Sequence, residues 1–292
     1  MATLKEWTAG ARPRTLPLAV APVIVGAAAA YALGSFDLAV GALALVVALA
    51  LQVGVNYAND YSDGIRGTDD VRVGPMRLTG SGAAKPQQVK DAAFLSFGLA
   101  SLAGLIIVIL TGMWWMLAVG AACVLAAWWY TGGSKPYGYR GLGEIMVFIF
   151  FGLVATLGTT WAMAAEISVA AVLGAVSSGL IASALLMANN VRDIPTDTEA
   201  GKVTLAVRLG ERRARISYVA MIGLALVLPL ALLATSWWFL LVLLAWPLAI
   251  GPARIILSPE KKGPALIRVL QLTSIIGMAF ALTYAAALIL SS

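Results

Sequence analysis

Apolar stretches long enough to cross a ~30 Å hydrocarbon core recur along this chain, separated by polar segments of unequal length. The pattern predicts nine transmembrane helices, at positions 15–34, 38–59, 91–112, 113–131, 142–163, 167–190, 214–235, 237–257 and 265–290. The first stretch is long, contains Pro17 and Pro22, and lacks a small-residue cleavage site. It therefore reads as a first helix and not as a cleaved signal peptide. The expected fold class is an all-α integral membrane protein.

The basic residues sort onto one side of this topology. Nine crossings place segments 1–14, 60–90, 132–141, 191–213 and 258–264, with the adjoining helix ends, on the same face, and all 20 Lys and Arg residues fall there. The opposite connections, Gly34 to Asp37, Thr111 to Met113, Ala164 to Ser168 and Thr235 to Trp238, contain none. The positive-inside rule then places the N-terminus in the cytoplasm and predicts a multi-pass protein of the cytoplasmic (inner) membrane. The same sorting accounts for the formal net charge of +6 without invoking nucleic acid.

Composition agrees and narrows the chemistry. Of the 292 residues, 61% are hydrophobic and 12% charged, against ~25% charged in a soluble domain. There are no His residues and one Cys. Intrachain disulfides, zinc sites built on His or Cys clusters, and His-based triads are excluded. Metal chemistry must use oxygen ligands, which favours Mg²⁺, Ca²⁺ or Mn²⁺. Cys123 and the small residues Gly26 to Ala30 read as packing positions. Trp114, Trp115, Trp128, Trp129, Trp237 and Trp238 read as an interfacial belt.

Two polar clusters interrupt this apolar background. One is Asn56-Tyr57-Ala58-Asn59-Asp60-Tyr61-Ser62-Asp63, and the other runs Asn189-Asn190-Val191-Arg192-Asp193-Ile194-Pro195-Thr196-Asp197. Each ends a predicted span and precedes a basic, Gly-containing loop, a weak internal repeat. Two four-helix halves plus a ninth helix would set the clusters face to face. The whole of 1–292 is expected to be a single domain, with one Asp-rich motif in 56–70 and a second in 189–202. Asn56, Asp60 and Asp63 are spaced i, i+4, i+7 and share a helix face. Asn189, Asp193 and Asp197 follow steps of four, but Pro195 is expected to break the helix there and leave Asp197 on a loop or a short following helix.

Ionisable groups at membrane depth are costly and usually functional. Two facing Asp pairs suit a hard divalent cation that completes its coordination shell with phosphate oxygens. Asn56, Asn59, Asn189 and Asn190 add neutral oxygens. Around them lie the cations a diphosphate requires: Arg66, Arg72, Arg77, Lys135, Arg140, Arg192 and Lys202. The competing account is that the acids cap helix ends and the bases touch lipid headgroups. That account is the better one for Arg212, Arg213, Arg215, Lys261 and Lys262. Tyr130, Tyr137 and Tyr139 lie near the clusters in sequence.

On these residues the chain resembles the UbiA superfamily of intramembrane aromatic prenyltransferases. Asn59 to Asp63 is similar to its first Asp-rich motif, and Asp193 with Asp197 to its second. Three loop words resemble its menaquinone-pathway branch, the 1,4-dihydroxy-2-naphthoate polyprenyltransferases. They are Gly74-Pro75-Met76-Arg77-Leu78 with Ser81-Gly82; Tyr130-Thr131-Gly132-Gly133-Ser134-Lys135-Pro136-Tyr137-Gly138-Tyr139-Arg140-Gly141-Leu142-Gly143-Glu144; and Asn190 to Asp193 with Gly201-Lys202-Val203-Thr204-Leu205. The likeness extends from Arg12-Pro13-Arg14-Thr15-Leu16 to the ninth helix. One position departs: the superfamily often places a third Asp four residues after the second, where this chain has Gly67. Asp69 is the nearest candidate to replace it.

The resemblance implies a reaction. Mg²⁺ held by Asp60, Asp63, Asp193 and Asp197 would neutralise the departing diphosphate of a polyprenyl diphosphate. Asn56, Asn59, Arg72, Arg77, Lys135, Tyr139, Asn189, Asn190, Arg192 and Lys202 would bind that substrate. The acceptor, 1,4-dihydroxy-2-naphthoate, would lose CO₂ to give a demethylmenaquinol, a route that needs no strong base. Other readings are a superfamily member with another acceptor such as 4-hydroxybenzoate, or a membrane cation transporter. Against the transporter, the opposite face offers only Asp37 and Glu166 as acids. A phosphoalcohol transferase would need a denser Asp motif than Asp63-Gly64-Ile65-Arg66 begins.

Overall fold

The computed structural model describes residues 2–67 and 76–292, and the described part is built from helices and their connections. A short helix, α1 (Leu4–Gly10), leads through the turn Pro13–Thr15 into α2 (Pro17–Ala32). Then come α3 (Leu38–Gly64), α4 (Pro86–Thr111), the short apolar α5 (Met116–Trp129), α6 (Gly143–Ala164) and α7 (Val169–Glu199). The short α8 (Leu205–Leu209) precedes α9 (Glu211–Ala234), α10 (Trp237–Leu257) and α11 (Pro264–Ser291). Among the described residues, seven helices are long and apolar enough to cross a membrane, or eight if the bent pair Leu4–Thr15 and Pro17–Ala32 counts as one span.

Local signals explain the boundaries. Asp37 Oδ1 accepts from the Val40 amide at 3.0 Å and starts α3, and Ser168 Oγ accepts from Ala171 at 3.1 Å to start α7. Pro17, Pro86 and Pro264 occupy first turns, where a missing N–H costs nothing. Gly112 closes α4 at φ +70°, a conformation that favours glycine.

The first predicted helix, 15–34, is found as α2, and the 50° turn between Leu4–Thr15 and Pro17–Ala32 precedes it. Two expectations are corrected. The second helix continues past 59 to Gly64 and carries the whole first Asp motif. Pro195 does not end the sixth predicted helix, because α7 runs through it to Glu199. Proline removes one donor, but only one turn of helix follows it. In that turn the Thr196 and Thr198 hydroxyls donate to the carbonyls of Asp193 and Ile194, at 3.0 and 2.7 Å. Asp197 is thereby helical and buried.

Helix α2 is the hub, packing against α3, α6, α7 and α11. The larger apolar core joins α2, α7, α9, α10 and α11 around Val25, Ile181, Tyr218, Phe280 and Tyr284. A smaller one, with Tyr57, Leu78 and Phe97, joins α3 to α4. Large apolar side chains stand exposed on the outside, Leu99 and Ile109 on α4, Leu244 on α10 and Leu282 on α11 among them. Such a surface is stable in lipid and not in water. Trp114, Trp115, Trp129 and Trp237 are exposed as a belt requires, whereas Trp128 instead stacks on Tyr61, ring centres 6.2 Å apart.

The hub depends on close approach at Gly26. A Cβ there would lie 2.4 Å from the Thr156 carbonyl oxygen and 2.8 Å from Thr159 Cβ, while the Thr160 hydroxyl donates to the Gly26 carbonyl at 3.0 Å. Gly26→Leu is therefore expected to destabilise the protein by roughly 1–3 kcal/mol, read as a lower Tm in detergent. Gly158→Leu, on the same helix pair but facing open space, should leave Tm close to wild type.

Candidate functional site

The C-terminal turns of α3 present the first motif, and each polar side chain there has a distinct tether. Asp60, 1% exposed, accepts the backbone amides of Leu78 and Thr79 on its two oxygens, at 2.7 and 2.9 Å. It pins the returning loop against the helix, where Gly64 allows Thr79 to lie close. Asn59 Oδ1 accepts from the Thr131 hydroxyl at 2.8 Å. Asn56, one turn earlier, donates to the Ala11 carbonyl at 2.9 Å and so ties α3 to the bend before α2.

Asp63 is the meeting point. Its Oδ1 accepts from the Tyr139 hydroxyl at 2.5 Å and from Lys202 Nζ at 3.3 Å, and Arg77 Nη2 lies 3.8 Å from Oδ2. Tyr139, Lys202 and Arg77 come from the three separate loop words. The loops are also joined directly, since the Val203 amide donates to the Tyr139 carbonyl at 3.0 Å. Lys202 Nζ lies 4.4 Å from the Tyr139 ring centre. Its backbone amide donates to the Asp197 carbonyl at 2.8 Å. Burial works against the Lys202 ammonium, but Asp63, then Tyr139 and Asp197, outweigh it and hold its pKa above the ordinary lysine value. Lys202 therefore remains charged through the neutral range. Arg66 donates to the carbonyls of Thr131 and Gly133, which fixes the second loop from the α3 side.

The second motif is organised along α7. Arg192 grips Asp193 through two nitrogens, each 2.6 Å from a different carboxylate oxygen, and its Nη2 also donates to Asn189 Oδ1 at 2.8 Å. Such forked pairs are among the stronger protein hydrogen bonds. Asn190 turns the other way and donates to Glu144 Oε1 at 2.9 Å. Glu144 is 5% exposed and its carbonyl accepts from Ser183 Oγ at 2.9 Å. Sequence reasoning placed Glu144 in a loop word but not among the site residues; a lone acid opening an apolar span was the signal that would have marked it.

Of the candidate residues, the structure gathers Asn59, Asp60, Asp63, Arg77, Tyr139 and Lys202 at the end of α3, with Asp197 joined through Lys202. Asn189, Arg192 and Asp193 form a network of their own on α7. Lys135 is exposed, and shares with Tyr139 only an open groove that Arg140, Gly201 and Arg208 also line. Charge on a mobile stem is more stable in water than buried without a partner. Tyr137 donates to the Ala126 carbonyl at 2.8 Å and serves the loop instead. Arg72 and Asp69, with Gly74 and Pro75, lie outside the described residues.

Among the described residues no three acidic side chains are gathered closely enough to hold an ion as they stand. The donor set nevertheless fits a hard cation. Asp60, Asp63, Asp193 and Asp197 are all buried, and Arg and Lys groups neutralise two of them at distances given above. These cations occupy the electrostatic role that a divalent ion would take over, and guanidinium and ammonium groups released from carboxylates are suited to phosphate.

Known proteins place this geometry in context. The UbiA prenyltransferase family matches residues 19–276. The chain is 50% identical over 291 residues to "1,4-dihydroxy-2-naphthoate octaprenyltransferase" of Mycobacterium tuberculosis, covering 99% of this chain and 98% of that one. It is 40% identical over 280 residues to the Escherichia coli protein of the same name, covering 91% of each. A UbiA homologue from Archaeoglobus fulgidus, solved with DMAPP and Mg²⁺, superposes with a TM-score of 0.66 at 17% identity, over 98% of this chain and 100% of that one. One from Aeropyrum pernix gives 0.70 at 16% identity, over 96% and 98%.

The Asp60 tether generates a test that is independent of activity. Asp60→Asn keeps an acceptor oxygen for one of the two amides and turns an NH₂ donor toward the other, so amide exchange at Leu78 and Thr79 should accelerate by about 10-fold or more, measured by hydrogen exchange in detergent. Protection within α4 should be unaffected.

Proposed function

Because the chain belongs to the UbiA prenyltransferase family, we propose that it transfers a polyprenyl group from an allylic diphosphate to 1,4-dihydroxy-2-naphthoate, with loss of diphosphate and CO₂, to give a demethylmenaquinol. The observation that carries this reading is the convergence on Asp63 of Arg77, Tyr139 and Lys202, one from each loop word. The names of the full-length relatives support the choice of acceptor.

Asp60, Asp63, Asp193 and Asp197 are the residues that would hold Mg²⁺, which supplies charge neutralisation for the departing diphosphate when bound. The chain's own groups do the rest. Arg77, Arg192 and Lys202 exchange carboxylate partners for phosphate oxygens, so the site keeps its charge balance as substrate enters. Asn189 donates to Asp193 Oδ2 at 3.4 Å and orients that carboxylate, while Asn56, Asn59 and Asn190 hold the bend before α2, the second loop and Glu144 around it. Tyr139 keeps Asp63 and Lys202 in register. Arg77, Tyr139 and Lys202, gathered at this end, would help keep water from the allylic cation, which would otherwise be hydrolysed. The acceptor ring attacks that carbon, and departure of its carboxylate as CO₂ restores aromaticity with no strong base, in keeping with the absence of His.

The whole chain acts as one domain in this reading. Nine apolar segments cross the inner membrane, α5 and the bent α1–α2 pair among them. The N-terminus and the active site face the cytoplasm, where the diphosphate is delivered. The sorting of all 20 basic residues supports that orientation.

Purified protein in detergent, given an allylic diphosphate, the naphthoate and Mg²⁺, should yield a product lighter by CO₂ than the simple prenyl adduct. EDTA should abolish it, and Asp60→Ala or Asp193→Ala should reduce turnover by about 100-fold or more while the protein still elutes as a folded species. Product from 4-hydroxybenzoate alone would overturn the acceptor and leave the prenyl transfer. Mg²⁺ flux in proteoliposomes with no new lipid would overturn the enzyme.

A further inference from the structure

Asp60, Asp63, Asp193, Asp197 and Glu144 are the acidic side chains buried among the described residues. The first four form the two motifs. Glu144, at the start of α6, belongs to neither. Its Oε1 accepts from Asn190 Nδ2 at 2.9 Å, while its Oε2 is buried and has no hydrogen-bond partner among the described residues. Asp63 and Asp193 are met by Lys202 and Arg192, whereas the side-chain partner of Glu144 is a neutral amide. A buried carboxyl oxygen left over in this way is costly, and more so near lipid. A clasp between α6 and α7, to which Ser183 adds through the Glu144 carbonyl, would be served equally by glutamine. It gives no reason for an acid with an oxygen to spare.

Asn190 fixes the depth of this carboxyl group. On α7, Asn190, Asp193 and Asp197 follow at i, i+3 and i+7 and share one face. Asn190 therefore lies about 4.5 Å inside Asp193 and about 10 Å inside Asp197 along the helix. Tyr130, directly after α5, joins the two levels. A Cβ on Gly143, the residue before Glu144, would lie 3.5 Å from the Tyr130 hydroxyl oxygen. The same phenol is within electrostatic reach of Glu144, Asp63 and Asp197 together, and Tyr137 closes on it edge-on, ring centres 5.5 Å apart. A diphosphate seated at the four Asp residues must lead its prenyl chain into the apolar interior. The carbon–oxygen bond that breaks then lies inside those residues, at the depth of Asn190 and Glu144, and the acceptor ring meets it there.

We propose that Glu144 is the proton carrier of the reaction: it takes the proton of the acceptor hydroxyl beside the carboxylated carbon and returns it after CO₂ has left. The inference rests on the acceptor reading above. As the bond between the allylic carbon and diphosphate breaks, the ring forms the new carbon–carbon bond at its carboxylated position. The neighbouring hydroxyl becomes a ketone and its proton passes to Glu144. What results is a β-keto carboxylate. Its bond to the carboxylate breaks, the electron pair moves through the ring to the ketone oxygen as an enolate, and CO₂ leaves. Glu144 then protonates that oxygen, so the aromatic ring and the carboxylate are both restored. A weak base suffices, because the hydroxyl becomes far more acidic as the ring gives up its electrons.

Glu144→Gln tests this, since it keeps the acceptor oxygen toward Asn190 and the size of the side chain. With the naphthoate at neutral pH and without oxygen, kcat should fall by about 100-fold or more. KM for the allylic diphosphate should stay within about twofold, and Tm close to wild type. Turnover of the variant should then rise by about tenfold per pH unit as the acceptor hydroxyl ionises by itself, toward a phenol-like pKa of about 10. Turnover within about twofold of wild type overturns the proposal, and so does a loss that alkaline pH does not recover. If Glu144→Gln does not fold, Glu144→Asp is read in its place, with its carboxylate displaced by one methylene. A kcat reduced by about 10-fold or more at an unchanged diphosphate KM then supports the proposal, and anything less overturns it. Failure of wild type to use the naphthoate would instead overturn the acceptor reading.

Discussion

A carboxylate buried at the end of a membrane helix must have compensating charge, and that constraint organises this protein. Asp63 is 5% exposed and would be held as an anion there only at high cost without cations and donors. The chain meets the requirement from three loops far apart in sequence, with Arg77, Tyr139 and Lys202. Each partner fixes the loop that carries it. These loop positions therefore owe their placement to the carboxylate as much as to their own turns.

The same balance prepares the site for chemistry. Buried pairs between carboxylates and bases are a weak source of stability, because desolvation offsets much of their attraction. In the proposed reaction their value lies in exchange. Phosphate oxygens and a divalent ion bring both signs of charge together, so each side of an ion pair can move to a new partner without an uncompensated intermediate. Arg192, already forked onto Asp193, is a planar donor of the kind that transfers well to phosphate. Asp60 is different: two backbone amides hold it, so in the proposed exchange it would keep its position while its neighbours change partners.

Much of this was legible in the sequence, for physical reasons that differ by residue. Apolar runs bounded by Asp37, Ser168 and Pro264 gave helix starts within a few residues, because capping and first-turn proline act locally. Helical spacing put Asn56, Asp60 and Asp63 on one face, and the structure agrees. Pro195 misled, since a local propensity was overridden by one remaining turn and two threonine hydroxyls. The bend at Arg12 was not legible, because a left-handed arginine depends on Asn56 and Gln52, some 40 residues away. Glu144 was missed for a similar reason: its meaning comes from Asn190, on another helix.

The lengths of α3 and α7 follow from the solvent. At 27 and 31 residues, they span about 40 and 46 Å, well beyond a ~30 Å core. The polar residues of both helices are gathered at the ends that carry the two motifs. A loop at that level would need partners for its own backbone as well as for its acids, and near lipid those partners are scarce. A helix satisfies its backbone internally and leaves every available donor for the side chains. It also fixes the separation of acids four residues apart, which a loop does not. Carrying both motifs on helical overhangs thus answers the membrane's demand for satisfied peptide groups. The same device holds the carboxylates of each motif at set spacing, as the proposed charged substrate requires.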